Sequence, residues 1–164
     1  MFDPETLALA EAVLAACRAR DWHLATAESC TGGLVAAALT AIAGSSEVVE
    51  RSFVAYSNEA KMELLGVSAD TIAAHGAVSA QTAAAMARGM IARAPVDLAV
   101  AITGVVGPGG GTPQKPVGLV YFGVARKDGG ARVERRIFPG DRAAVREAAL
   151  VLALELLQDE ARSA

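Results

Sequence analysis

Leu98-Ala99-Val100-Ala101-Ile102, followed by Thr103-Gly104, decides the fold. An unbroken apolar run of this kind belongs to a strand buried on both faces of a sheet, with helices above and below. The chain then enters its only low-complexity stretch, Gly104 to Pro116, with five glycines and three prolines. Loops beyond the carboxyl ends of such strands are where open α/β sheets take their ligands.

The same alternation of element types extends in both directions. Before the run, Ser79 caps a long helix whose inner face is Ala83, Ala87, Met90, Ile91 and Ala94. After it, Val117 to Arg126 and Arg132 to Phe138 read as strands joined by Lys127-Asp128-Gly129-Gly130, a hairpin turn. Asp141 caps a last helix with Val145, Ala149, Leu152 and Leu156 inward. Towards the N-terminus, a short helix from Asn58 to Leu65 stops at Gly66, and Val48 to Tyr56 is extended. Leu34, Ala38, Ala41 and Ile42 carry a helix that ends at Gly44, preceded by a turn over Ser29 to Gly33. A strand from Trp22 to Ala27 comes before that turn. Asp3-Pro4-Glu5 opens the first helix, with Leu7, Ala10, Leu14 and Cys17 at helical spacing. No repeat and no linker interrupts the pattern. It predicts one α/β domain over 1–164 with a mixed sheet.

Composition narrows the function. The 164 residues are 53% apolar and 20% charged with a net charge of −3, which excludes disorder and provides for a sizeable core. No apolar run approaches the ~18 residues of a membrane span, and no basic residue precedes Arg18 as a secretory signal would require. Two cysteines, Cys17 and Cys30, make no disulfide framework, so a reduced, cytoplasmic setting is expected. No basic stripe interleaves with aromatics, so no nucleic acid is expected as partner. Alanine, at 37 residues, implies helices packed closely through small side chains.

Four segments could carry chemistry. Thr26-Ala27-Glu28-Ser29-Cys30-Thr31-Gly32-Gly33 runs from a strand end into a helix start, where unpaired N–H groups and the helix dipole favour an anion. An overbuilt N-cap is the plainer reading, but a cap needs one hydroxyl and leaves Glu28, Cys30 and the paired glycines unexplained. Tyr56-Ser57-Asn58-Glu59-Ala60-Lys61 holds one of two tyrosines and one of three lysines. A desolvated lysine serves as a base once its pKa falls, and a tyrosine can relay its proton. Each of these residues alone is more often a cap, a core ring or a solvated charge. Thr103-Gly104-Val105-Val106-Gly107-Pro108-Gly109-Gly110-Gly111-Thr112 fits neither the Walker nor the dinucleotide template, but its place suits phosphate or sugar contact. Pro139-Gly140-Asp141-Arg142 starts a helix with an arginine that would suit a phosphate beside a ligand loop.

The two histidines and two cysteines have no metal-ligand spacing, so no metal is expected. If Ser29 is a nucleophile, Lys61 is a more credible base than His75. Cys30 competes for the nucleophile role, because a thiol at a helix start becomes more acidic.

In combination TAESCTGG, IAGSS, YSNEAK with LGV, HGAVS, TGVVGPGGGT, KPVGLVYFGV and PGDR resemble the C-terminal domain of the CinA family, the nicotinamide-nucleotide amidohydrolases. These stretches span about residues 24 to 146 and correspond to the stand-alone amidohydrolase form. Val105-Val106 stands where Ile-Ala is more usual, and Ser52 where glycine is common. The resemblance implies a three-layer α/β/α sandwich with a mixed, mostly parallel sheet. It also implies hydrolysis of nicotinamide mononucleotide to nicotinate mononucleotide and ammonia, without a dissociable cofactor. Carried over, Ser29 matches the nucleophile, Tyr56 and Lys61 its activating partners, and Thr103 and Arg142 substrate-holding positions. Cys30, Thr31, Gly32 and Gly33 would supply backbone N–H groups to an oxyanion, and Asn58, Gly104 and Gly107 complete the expected substrate contacts. A non-catalytic nucleotide- or partner-binding module and an amidohydrolase for another small amide are the alternatives. Homo-oligomers are common, and oligomeric state stays open.

Overall fold

The computed structural model describes residues 1–164. Five strands form one sheet: β1 (Leu24–Glu28), β2 (Val49–Val54), β3 (Leu98–Gly104), β4 (Leu119–Arg126) and β5 (Ala131–Ile137). Their order across the sheet is β2-β1-β3-β4-β5. Strand β1 pairs in parallel with β2 and β3, and β4 pairs antiparallel with β3 and β5. Four strands therefore point one way and β4 alone runs against them, a mixed, mostly parallel sheet as expected.

Helices cover both faces. On one side lie α1 (Pro4–Arg18), α2 (Leu34–Thr40) and α6 (Arg142–Ser163), and on the other α3 (Asn58–Leu65), α4 (Ala69–His75) and α5 (Ala80–Arg93). The strict two-residue alternation of a strand splits the core accordingly. Leu24, Leu98, Val100, Ile102, Val120, Phe122 and Val124 face α1, α2 and α6. Ala25, Ala27, Ala99, Ala101 and Ala125 face α5 and α3. The small residues on that side bring helix backbone onto the sheet. A Cβ on Gly123 of β4 would stand 2.2 Å from the Ala83 carbonyl oxygen of α5.

Caps set several helix starts. Asp3 accepts from the Thr6 N–H at 2.8 Å ahead of Pro4, Ser79 from Thr82, and Asp141 from Ala144. One element is additional and two expectations need correction. The residues 69–75 form a helix that the periodicity did not indicate, since its face is short and no residue in it is buried; Ser68 caps it through the Thr71 N–H. Helix α2 stops at Thr40 rather than near Gly44, and residues 45–47 turn as a single 3-10 turn. Ser57, not Asn58, caps α3, accepting from the Ala60 N–H. No helix is long and apolar enough to cross a membrane.

Candidate active site

The site is the continuation of the alanine face beyond the strand ends. Along β1 the residues turned to α5 are Ala25 and Ala27, and the next in that alternation is Ser29. Along β3 they are Ala99 and Ala101, and the next is Thr103. Both lie at the carboxyl edge of the parallel strands, and both are almost fully buried.

The turn after β1 is held by Glu28. Its buried carboxylate accepts from the N–H groups of Gly33 at 3.0 Å, Val35 at 3.2 Å and Ala36 at 2.9 Å, and from Thr26 Oγ1 at 3.1 Å. The residue at the start of α2, Gly33, has a φ of 97° and no side chain to cap the helix. Glu28 is thus the cap, supplied from the strand, and it neutralises the positive end of α2. The N–H of Gly32 donates to the Ser29 carbonyl at 3.0 Å. The N–H groups of Cys30 and Thr31 donate to no other residue. Burial pushes the Cys30 thiol up to about 12, which removes the acidity a nucleophilic thiol needs.

Lys61, in the first turn of α3, is 1% exposed. Its Nζ stands 3.1 Å from Ser29 Oγ, 3.1 Å from the Ala55 carbonyl and 2.9 Å from the Tyr56 carbonyl. It takes part in none of the ion pairs of the chain. Burial without a counter-ion holds its pKa below the usual lysine range.

Tyr56 contributes differently from expectation. Its carbonyl, not its phenol, meets the lysine, while the half-exposed ring extends to Arg142, whose Nη2 donates to the phenolic oxygen at 3.2 Å. Arg142 Nη1 donates to the Gly107 carbonyl at 2.9 Å, tying the glycine loop to the start of α6. Thr103 Oγ1 donates to the Ala77 carbonyl at 2.7 Å and so draws the segment before α5 over the cavity.

These groups enclose a cavity of about 290 Å³. Ser29, Cys30, Tyr56, Lys61, Thr103, Gly104, Gly107 and Arg142 line it together, from four separate parts of the chain. Ala77, Val78, Val105, Val106, Gly109 and Gly110 complete its wall. Of these, Ala77 and Val78 carry no polar side chain, so only the quoted HGAVS stretch pointed near them. Thr31, Gly32, Gly33 and Asn58 do not line the cavity. The helix start that made the glycines candidates is occupied by Glu28, and Asn58 sits exposed on the outer side of α3. The wall carries two basic side chains, Lys61 and Arg142, and no carboxylate. No three histidine, cysteine or acidic side chains gather as a metal site.

Residues 6–161 match the family described as the CinA C-terminal domain. The chain is 49% identical over 157 residues to the nicotinamide-nucleotide amidohydrolase PncC of Escherichia coli K12, covering 96% of this chain and 95% of that one. It is 52% identical over 141 residues to the PncC of Enterobacter agglomerans, covering 86% of each. A CinA-like protein of Mycolicibacterium gilvum is 56% identical over 135 residues, which make up 82% of this chain and 32% of that longer one. Among solved structures, the competence/damage inducible protein CihA of Agrobacterium tumefaciens superposes with a TM-score of 0.93 at 44% identity, over 96% of both chains.

Proposed function

The chain belongs to the CinA C-terminal domain family, and on that premise we propose that it hydrolyses the carboxamide of nicotinamide mononucleotide to nicotinate mononucleotide and ammonia. Ser29 is the nucleophile and Lys61 its base. The observation that carries this reading is the buried, uncompensated amine of Lys61, 3.1 Å from Ser29 Oγ.

Burial without a counter-ion favours the neutral form of that amine, and its surroundings accommodate it. A neutral amine has two hydrogens and one lone pair. The two hydrogens serve the carbonyls of Ala55 and Tyr56, and once the serine hydroxyl rotates towards Nζ, 3.1 Å away, the lone pair can take its proton. A protonated amine here would lack the counter-charge that a buried cation needs. The direct contact with Ser29 supports proton transfer without a tyrosine relay.

Ser29 Oγ attacks the carboxamide carbon as its proton passes to Lys61 Nζ. The oxygen that becomes negative accepts from the free N–H group of Cys30, the residue of the turn that lines the cavity beside Ser29. As the carbon–nitrogen bond breaks, the Lys61 ammonium gives its proton to the leaving nitrogen, and ammonia departs. Water then attacks the acyl group, losing a proton to Lys61. The carbon–Oγ bond breaks and the proton returns to Ser29. The pyridinium of the substrate disfavours a second positive charge beside it and helps keep Lys61 neutral. A wall with the Arg142 guanidinium and no carboxylate suits an anionic mononucleotide, with Arg142 and the glycine loop towards the phosphate.

Ser29→Ala tests the reading. Ammonia release should fall at least roughly a thousandfold with the melting temperature unchanged. A variant that keeps most of the wild-type turnover removes Ser29 from the chemistry.

A further inference from the structure

Arg146 lies one turn beyond Arg142 on α6 and does not line the cavity. It is part-buried, pairs with no carboxylate, and directs its guanidinium at the turn that carries Ser29. Nε donates to the Cys30 carbonyl at 3.1 Å, and Nη2 to the Thr31 carbonyl at 3.0 Å.

Both bonds lead, through peptide units, to the two free N–H groups of the turn. The Cys30 carbonyl shares its peptide plane with the Thr31 N–H, which points the opposite way. The Thr31 carbonyl shares its plane with the Gly32 N–H, which donates to the Ser29 carbonyl at 3.0 Å. That carbonyl in turn shares its plane with the Cys30 N–H. One chain of hydrogen bonds therefore starts at Nε and ends at Thr31 N–H, and the other starts at Nη2 and ends at Cys30 N–H. A charged donor at the head of such a chain polarises each peptide along it and strengthens the terminal donor.

We propose that Arg146 is a positioning residue for the amide hydrolysis, fixing the turn through both carbonyls and polarising the Cys30 N–H group, the one that meets the cavity, as the oxyanion donor. The proposal rests on Ser29 being the nucleophile. Its partner in the fold is Glu28, which holds the N–H groups on the far side of the same turn. The carboxylate takes the helix donors, the guanidinium takes the carbonyls, and the two remaining donors stay free.

The test compares wild type, Arg146→Gln and Arg146→Lys in two assays. One is steady-state ammonia release from nicotinamide mononucleotide. The other is the rate of Ser29 modification by a fluorophosphonate, in which the Oγ–phosphorus bond forms, fluoride leaves and the proton passes to the base. Arg146→Gln should lower kcat about tenfold to a hundredfold with KM within about twofold. Phosphonylation should slow in the same proportion, and the acidic limb of the pH–rate profile should keep its position because Lys61 is untouched. Arg146→Lys keeps a cation and should recover part of both rates; it decides the matter if the glutamine variant does not fold. Unchanged rates in both variants, a loss carried by KM alone, or a moved acidic limb overturns the proposal. If wild type is phosphonylated at Ser29 yet releases no ammonia, the substrate assignment fails and the labelling rates decide Arg146 alone. A wild-type chain that is not phosphonylated overturns both.

Discussion

On one face of β1, β3 and β4 the core is built from Leu24, Leu98, Val100, Ile102, Val120, Phe122 and Val124; on the other, from Ala25, Ala27, Ala99, Ala101 and Ala125. The large face meets α1, α2 and α6 through interdigitating side chains. Phe122 there packs edge-on against Phe138, with ring centroids 6.3 Å apart. The alanine face meets α5 almost backbone to backbone, and α5 in turn meets α3 at Gly89, where a Cβ would stand 1.8 Å from the Leu65 carbonyl oxygen. Since α3 carries Lys61 and the alanine face runs on into Ser29 and Thr103, the close-packed side sets the distance between the proposed nucleophile and its base. The large face supplies stability and reaches the site only at its rim, through Glu28 and through Arg142 and Arg146 of α6.

Substitutions on the two sides should therefore fail in different ways. Phe122→Ala, on the large face, removes a fully buried ring and should destabilise by about 4 kcal/mol in urea unfolding. Turnover per folded molecule should stay near wild type, and a collapse of kcat in the folded fraction would erase the distinction between the faces. Gly89→Ala forces backbone apart rather than leaving a void, and should cost about 3 kcal/mol. Its mark is a loss of kcat of about a hundredfold in the folded protein, because displacement of α3 by even 1 Å moves Lys61 from Ser29. Normal kcat in that variant would show that the reacting pair does not depend on the α3–α5 contact.

The smallest effect separates the two buried titratable side chains. Glu28, on the large face, has four donors, whereas Lys61 has no counter-ion. Burial places the folded-state pKa of Lys61 below the 10.5 of an unfolded chain, so the unfolded state binds the extra proton in between. Stability should be complete above pH 10.5, fall as the pH drops, and level off below the folded value. Lys61→Met should flatten that slope in denaturant titrations across the alkaline range. A slope equal to wild type assigns it to other groups.

Much of this was legible from residues alone. The run Leu98–Ile102, the Gly66 stop of α3 and the Asp141 cap are local signals, and local signals survive folding. Residue types go only as far as making Lys61 a more credible base than His75 should Ser29 be a nucleophile; the family resemblance matches both to catalytic positions. What escaped depends on neighbours distant in sequence. The phenol of Tyr56 meets Arg142, which lies 86 positions away. Glu28 as the cap of α2 is a contact over five to eight residues, but it forms only because the strand ends with that side chain turned to the helix start. Helix α4 escaped because it buries nothing and so leaves no periodic stripe.

The wall opposite Ser29 has a consequence for adaptability. Ala77, Val78, Gly109 and Gly110 belong to loops, while Ser29, the proposed nucleophile, follows a strand and Lys61 sits on a helix. A lineage or a designer wanting room for a bulkier amide could exchange those two loops as cassettes, reshaping the chamber without retuning the machinery that cuts.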